Sequence, residues 1–240
     1  MRIAVVSDIH GNLTALEAVL ADLREASPDL IFHGGDLAHG GASPAQVVER
    51  IRELGWPGVL GNTDEMLFAT QALTEFAAGS SPQFQPLFAA IEEMAEWTRS
   101  ALGNERIAWL KALPREQIHA PIALVHASPD SLWRAPAPEA TDAEMIQVYK
   151  PLGQPIAVYG HIHRSFVRRM EDLTVVNTGS VSLSYDGDPR ASYLLVDNGD
   201  PVIRRVAYDI DAEIRRITEC GIPRADWLAK SLASAAFQMP

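Results

Sequence analysis

Residues 2–12 read RIAVVSDIHGN. Arg2–Ser7 is an apolar run rich in β-branched residues, of strand length, and it breaks off into a polar corner, Ser7-Asp8-Ile9-His10-Gly11-Asn12. Leu13–Ala26 then carries apolar residues at helical spacing. Asp29–His33 reads as a second strand, Pro44–Leu54 as a second helix and Trp56–Leu60 as a third strand. Strand–helix–strand units of this length predict a parallel sheet with right-handed crossovers.

Beyond this alternation the pattern changes. Residues 64–113 hold Ala, Glu, Leu, Met and Trp at helical spacing, with breaks near Gly79–Pro82, Pro86 and Gly103–Asn104. They predict a helical excursion of about three helices over the carboxyl edge of the sheet, where it would shape a pocket. Short strands return at Ile118–Ala120, Ile122–Val125, Pro155–Tyr159, Phe166–Met170, Thr174–Val176, Ala191–Val196 and Val202–Tyr208. Turn signals at Glu171-Asp172 and Asn198-Gly199-Asp200 predict antiparallel hairpins. The tail from Asp211 to Phe237 reads as two helices broken at Gly221–Pro223. The fold class expected is α/β, two packed sheets with outer helices, in a single domain over residues 1–240.

Bulk properties narrow the function. In 240 residues, 47% are hydrophobic and 21% charged, an ordinary globular balance that argues against extensive disorder. No apolar run approaches the roughly 20 residues that cross a bilayer. The first strand meets Asp8 and His10 too soon for a signal-peptide core, so a cytoplasmic protein without a membrane partner is expected. The single cysteine, Cys220, excludes an intrachain disulfide and a cysteine-based zinc site. A net charge of −11 argues against stable binding of long nucleic acid, and a homo-oligomer is compatible with every feature.

The strand ends carry the chemistry. The first strand ends in Asp8-Ile9-His10, the second in Gly34-Gly35-Asp36, and the third in Gly61-Asn62-Thr63-Asp64. Ile122–Val125 runs into His126, and Pro155–Tyr159 into Gly160-His161-Ile162-His163. Ligands of open α/β sheets bind outside the carboxyl ends of strands, so groups distant in sequence can converge there. If the segments stay extended, residues i and i+2 face one way, so Asp8 and His10 share a target, as do His161 and His163. Four of the chain's seven histidines occupy these corners. Any one of them alone reads as a structural histidine, and Asp8 alone as a helix cap. Together, imidazoles, carboxylates and an amide oxygen suit Mn²⁺, Fe, Zn²⁺, Ni²⁺ or Co²⁺ better than an all-oxygen Ca²⁺ or Mg²⁺ cage. Seven ligands exceed what one open ion takes and suit two divalent metal ions. Asp64 reads as the cap of a following helix.

The ordered set Asp8-x-His10, Gly35-Asp36, Gly61-Asn62, His126, Gly160-His161-x-His163 resembles the calcineurin-like metallophosphoesterase superfamily. Asp8-Ile-His-Gly-Asn12 and Asn177-Thr-Gly-Ser180 look most like its small bacterial phosphodiesterase branch. The resemblance spans Met1 to about Tyr208. It implies a four-layer αββα sandwich with a dinuclear metal site. By matching motif, one ion takes Asp8, His10, Asp36 and His163, and the other Asp36, Asn62, His126 and His161, with Asp36 bridging. It further implies hydrolysis of a small phosphodiester, nucleotide or phosphomonoester by a hydroxide shared between the ions. Asn12 is expected to support the site or contact substrate.

This chain departs from the family pattern at Thr63, where many members have a histidine that protonates the leaving oxygen. A hydroxyl is no strong acid near neutral pH, and the help lost is typically about 10²–10⁴-fold. The loss falls hardest on poor leaving groups, so activated esters and anhydrides are favoured, and diadenosine polyphosphate hydrolysis is the alternative activity. A non-enzymatic scaffold on the same fold is the remaining alternative. Arg164 is a candidate to steer phosphate, with Arg134 a second, while Arg168 and Arg169 read as surface. Trp97 and Trp133 could stack on a base but read more readily as packing residues; His33 and His119 read as structural, and His39 either reaches substrate or, the more ordinary reading, is a solvated loop residue.

Overall fold

β1 (Arg2–Val6) is flanked on both sides: it pairs in parallel with β2 (Leu30–His33) and antiparallel with β8 (Ala191–Asp197). A computed structural model describes residues 1–240. β9 (Asp200–Val206) completes a four-stranded sheet ordered β2-β1-β8-β9. Asn198 and Gly199, both at positive φ, form the two-residue turn between β8 and β9. The second sheet is ordered β3-β4-β5-β7-β6, from β3 (Glu116–His119), β4 (Ile122–Val125), β5 (Ile156–Tyr159), β6 (Phe166–Arg169) and β7 (Thr174–Asn177). Its middle, β4-β5-β7, is parallel, and β3 and β6 are antiparallel edges.

The two-residue period of a strand sorts side chains between layers. Ile3 and Val5 of β1 join Leu124, Val158, Val176 and Leu194 in the core between the sheets. Ala4 and Val6 face outward and pack with Leu16, Val19, Val47 and Ile51 of α1 (Leu13–Ala26) and α2 (Pro44–Leu54). On the far side, Val125, Ala157, Tyr159 and Val175 receive Met145 and Tyr149 of α6 (Asp142–Tyr149). Each such side chain, fully buried, contributes about 1.5–3 kcal/mol when it is Val, Leu, Ile, Phe or Met. The result is the expected sandwich of two sheets between helices.

Between α2 and β3 in chain order lie α3 (Asn62–Glu65), α4 (Ala72–Ala77), a 3-10 turn at Pro82–Phe84 and the long α5 (Gln85–Lys111). Gly103, at φ 69° and ψ 170°, breaks α5 as its sequence predicts, whereas Pro86 does not. Pro86 sits in the first turn, where no backbone donor is missed. The tail forms α7 (Ile210–Glu219) and α8 (Ala225–Ser234), whose Ile217, Leu228 and Leu232 pack with Met94 of α5 and with Leu183.

Two expectations are corrected. The third strand, Trp56–Leu60, amounts to one isolated parallel bridge between His33 and Gly58. Pro57 lacks an amide donor, and Gly58 lies flat against the His33 ring, where a side chain would collide. Helix α6 was not anticipated, although Thr141 and Glu144 form a reciprocal capping box at its start, a readable signal.

Candidate metal centre

The polar corners meet because the loop after β1 is zipped to the loop after β2. Asp8 N donates to Gly35 O (3.1 Å), His10 N to Asp36 O (3.0 Å) and Gly11 N to Leu37 O (2.8 Å). Within the second sheet Gly160 N donates to His126 O (2.9 Å), and across the sheets His161 N donates to both Asp8 oxygens (3.1 and 3.2 Å). The backbone that aims these side chains is not extended. Asp8, His10, Asp36, His161 and His163 all lie in the left-handed region, with φ between 49° and 66°. Such residues cost about 1–2 kcal/mol each and gather where function requires a particular aim. The i, i+2 convergence is therefore produced by a tight bend, a correction to the extended-strand argument.

Two groups result. In the first, ligand atoms of Asp8, His10, Asp36 and His163 all lie within 4.8 Å of one another, and all four residues are buried. His163 Nε2 is 3.2 Å from Asp8 Oδ1, and His10 Nε2 is 3.7 Å from Asp36 Oδ2. In the second, Asn62 Oδ1 lies 2.8 Å from His126 Nε2 and 2.9 Å from His161 Nδ1, while His126 Nε2 is 3.5 Å from Asp36 Oδ1. Asp36 thus turns one oxygen toward each group.

The hydrogen bonds behind the rings decide what those atoms present. His10 Nδ1 donates to His39 O (2.6 Å), His163 Nδ1 to Leu183 O (2.6 Å) and His126 Nδ1 to Gly34 O (2.8 Å). A carbonyl only accepts, so each neutral ring keeps its proton there and aims a bare Nε2 lone pair into the site. His10 Nε2 and His163 Nε2 then face each other at 3.1 Å, lone pair to lone pair. That arrangement is repulsive alone and is relieved by a cation, as is the approach of the bare His126 Nε2 to Asn62 Oδ1. The residues present fit divalent metals, held by the backbone-anchored histidines typical of such sites.

The surroundings hold the carboxylates in place. Thr63 N donates to Asp36 Oδ1 (2.9 Å), and Ser7 Oγ to Asp8 Oδ2 (2.5 Å). A Cβ at Gly61 would strike the Asp36 carboxylate, and one at Gly160 would strike the Asp8 carboxylate. Asn177 Nδ2 donates to Gly160 O (2.5 Å) and Asn177 Oδ1 accepts from Gly179 N (2.9 Å), so the Asn177–Ser180 motif braces the His161 corner. Asp64 does more than cap a helix. Fully buried, its carboxylate accepts from Leu37 N (3.0 Å) and Ala38 N (3.4 Å), fixing the chain just past Asp36.

Electrostatics follow from burial and neighbours. Burial would raise the Asp8 carboxyl, but positive charge at the nitrogens facing it, from His163 first and then His126 and His10, holds it well below the carboxylate range, and a cation bound in place of those ring protons acts in the same direction. Burial and the charge of His163 lower His10, and burial with His126 lowers His161 to about 4, so both favour the neutral form. Burial opposes protonation of His126, yet Asp36 and Asp8 outweigh it and raise that histidine. Burial and the Asp36 charge push Asp64 up to about 7.

His10, Asp36, Asn62, Thr63, His161 and His163 form the floor of a cavity of about 250 Å³. No lysine or arginine lines it. Thr63 contributes a buried hydroxyl with no hydrogen-bond partner. His39 also lines the cavity, which corrects the solvated reading and leaves it where a residue that reaches substrate would stand. It is buried, its Nε2 meets Ile91 O at 3.1 Å, and burial lowers it to about 4. Asn12 does not reach the cavity. Its Oδ1 caps α1 through Ala15 N (2.8 Å) and its Nδ2 donates to Ser182 Oγ (3.1 Å), so it supports the loop. Arg164 points away and pairs with Glu139 on the surface (3.1 Å). Arg134 lies over the Phe76 ring in a separate open recess, Arg168 bonds the Pro138 and Ala140 carbonyls, and Arg169 pairs with Asp200. Trp133 packs on Phe76 and Trp97 in the cluster beneath α8. His33 is buried against Trp109, and His119 is half-buried beside Phe32.

Residues 1–200 match the family model of the calcineurin-like phosphoesterase superfamily domain. The chain belongs to that superfamily. It is 32% identical to the uncharacterized protein MJ0912 of Methanocaldococcus jannaschii, with 96% of each chain covered. It is 28% identical to phosphodiesterase YfcE of Escherichia coli K12, over 82% of this chain and 88% of the relative, which supports the small bacterial phosphodiesterase branch. The crystal structure of a metallophosphoesterase from Sphaerobacter thermophilus superposes with a TM-score of 0.78 at 29% identity, covering 98% of this chain and 99% of that one. The protein is a metallophosphoesterase, and divalent metal ions are its cofactors. No helix is long and apolar enough to cross a membrane.

Proposed function

We propose that this metallophosphoesterase hydrolyses small phosphodiesters that carry one negative charge. The observation that carries the reading is the pair of lone-pair clusters sharing Asp36 at the floor of a cavity without lysine or arginine. Asp8, His10, Asp36 and His163 would hold one ion and Asp36, Asn62, His126 and His161 a second. When bound, such a pair supplies an activated water at neutral pH and neutralises charge on the phosphoryl oxygens.

The chain's own groups do the rest. The carbonyls of His39, Leu183 and Gly34 hold protons on the outer ring nitrogens, so the inner ones stay bare. Thr63 N and Ser7 Oγ orient the two carboxylates. Thr63 Oγ1 donates at most a hydrogen bond to the departing oxygen, so good leaving groups are favoured. With no protein cation in the cavity, every substrate charge beyond those the metals neutralise goes uncompensated. That favours diesters over dianionic monoesters, and it counts against the several charges of a diadenosine polyphosphate, even though its anhydride suits Thr63.

A turnover panel with Mn²⁺, Zn²⁺, Ni²⁺ and Co²⁺ tests this. Bis-p-nitrophenyl phosphate should be turned over with kcat/KM at least tenfold above p-nitrophenyl phosphate and diadenosine tetraphosphate. A preference for either of the latter would overturn the diester assignment.

A further inference from the structure

The cavity has a second half that the phosphoryl chemistry does not use. Leu87, Ile91 and Met94 of α5 form one wall, and Trp227 and Leu228 of α8 with Phe237 form another. The second wall comes entirely from chain beyond residue 200, where the family match ends. It is built to stay in place. Leu228 is buried, Trp227 Nε1 donates to Gln238 O (3.0 Å), and Gly187 N donates to Ala235 O (3.0 Å). The tail is therefore pinned at both ends of Phe237.

An aromatic surface runs from this tail to the metal-facing histidines. Phe237 stands edge-on to Tyr185, with ring centres 5.8 Å apart and planes at 87°. Tyr185 in turn stacks on the His163 ring at 4.8 Å and 25°. Phe237 nevertheless stays 48% exposed, and Trp227 and Tyr185 are half-buried. Residues meant only to fill a core would be covered. Here apolar faces line the same cavity as the cluster of His10, Asp36, Asn62, His161 and His163, and covering them with an aromatic group would release water from both.

The geometry points to the C-terminal segment, through Trp227, Leu228 and Phe237, as a binding wall for a flat apolar ester group of the substrate. The preferred substrate is then an aryl or similarly apolar phosphodiester rather than a small alkyl one. This rests on the diester reading above and extends it to the group attached to phosphorus. A tail that merely sealed the core would bury Phe237 and leave ligand preference indifferent to it.

The test compares diphenyl phosphate and dimethyl phosphate, diesters with poor leaving groups and equal charge, as competitive inhibitors of bis-p-nitrophenyl phosphate hydrolysis by the Mn²⁺-loaded full chain. Phe237→Ala and Trp227→Ala are each expected to raise the inhibition constant of diphenyl phosphate about tenfold relative to that of dimethyl phosphate. Phe237 is exposed, so its variant folds even if Trp227→Ala does not. Binding is also read by fluorescence: diphenyl phosphate should perturb tryptophan emission of the native chain, and Trp227→Phe should abolish most of that change. An unchanged inhibitor ratio in Phe237→Ala, or an emission change that survives Trp227→Phe, overturns the wall. Absence of bis-p-nitrophenyl phosphate turnover in the native enzyme would instead overturn the diester function, and the fluorescence titration would still judge the wall.

Discussion

The two halves of the cavity are made in opposite ways. The polar floor comes from short strand-end motifs, most of them bent at single left-handed residues (Asp8, His10, Asp36, His161 and His163) and locked by backbone hydrogen bonds. The apolar walls come from single side chains of α5, α8 and the tail, brought together only by helix packing. The floor has little tolerance, because even a Cβ at Gly61 or Gly160 would strike the Asp36 or Asp8 carboxylate. The walls depend on area and shape, which many apolar residues supply. Chemistry and selectivity can therefore be perturbed separately in this protein.

Substitutions should expose that separation. Asp36→Ala removes the carboxylate between the two groups, and diester hydrolysis should fall on the order of 10³-fold or more, with loss of bound metal by elemental analysis. Hydrolysis that persisted would place the chemistry elsewhere. Thr63→His restores a proton donor at the floor. It should raise turnover of poor-leaving-group esters relative to activated diesters by up to about 10²-fold, read as a ratio of kcat/KM values. Gly61→Ala tests packing behind the floor. Gly61 has φ −96° and ψ 167°, open to any residue, so only the collision with Asp36 opposes alanine. Metal affinity by calorimetry should drop about 10–100-fold. Phe237→Ala, in the wall, should leave metal stoichiometry intact and change unfolding free energy by no more than about 0.5 kcal/mol in urea titrations. A large loss of metal there would dissolve the distinction between the halves.

The same contrast explains what was legible in the sequence. Asp8, His10, Asp36, Asn62, His126, His161 and His163 each follow an apolar run and most stand beside glycine, so composition alone marks the corners. Their convergence comes by a route the two-residue period of a strand does not show: left-handed bends at Asp8, His10, His161 and His163 aim the side chains, not extended backbone. Asp64 was read as a local cap because its partners, Leu37 N and Ala38 N, lie 26–27 residues away. For His39 the sequence favours a solvated loop residue over one that reaches substrate, because nothing local to it reveals that Ile91 of α5 covers it. The helical pattern of residues 64–113 points to a pocket but not to Leu87, Ile91 and Met94 in particular, and Trp227 and Phe237 give no signal, since apolar residues at helical spacing look alike whether they face a core or a cavity. Arg164 was favoured for its place beside His163. The bend that turns His163 inward sends its neighbour outward to Glu139.

The central claim is that two cations are held in one site with Asp36 between them. Elemental analysis of the native protein after Mn²⁺ loading and desalting, beside Asp36→Ala treated identically, tests it most directly. The account predicts two ions per native chain and fewer than one in the variant. One ion in the native chain, or two retained by Asp36→Ala, would contradict it.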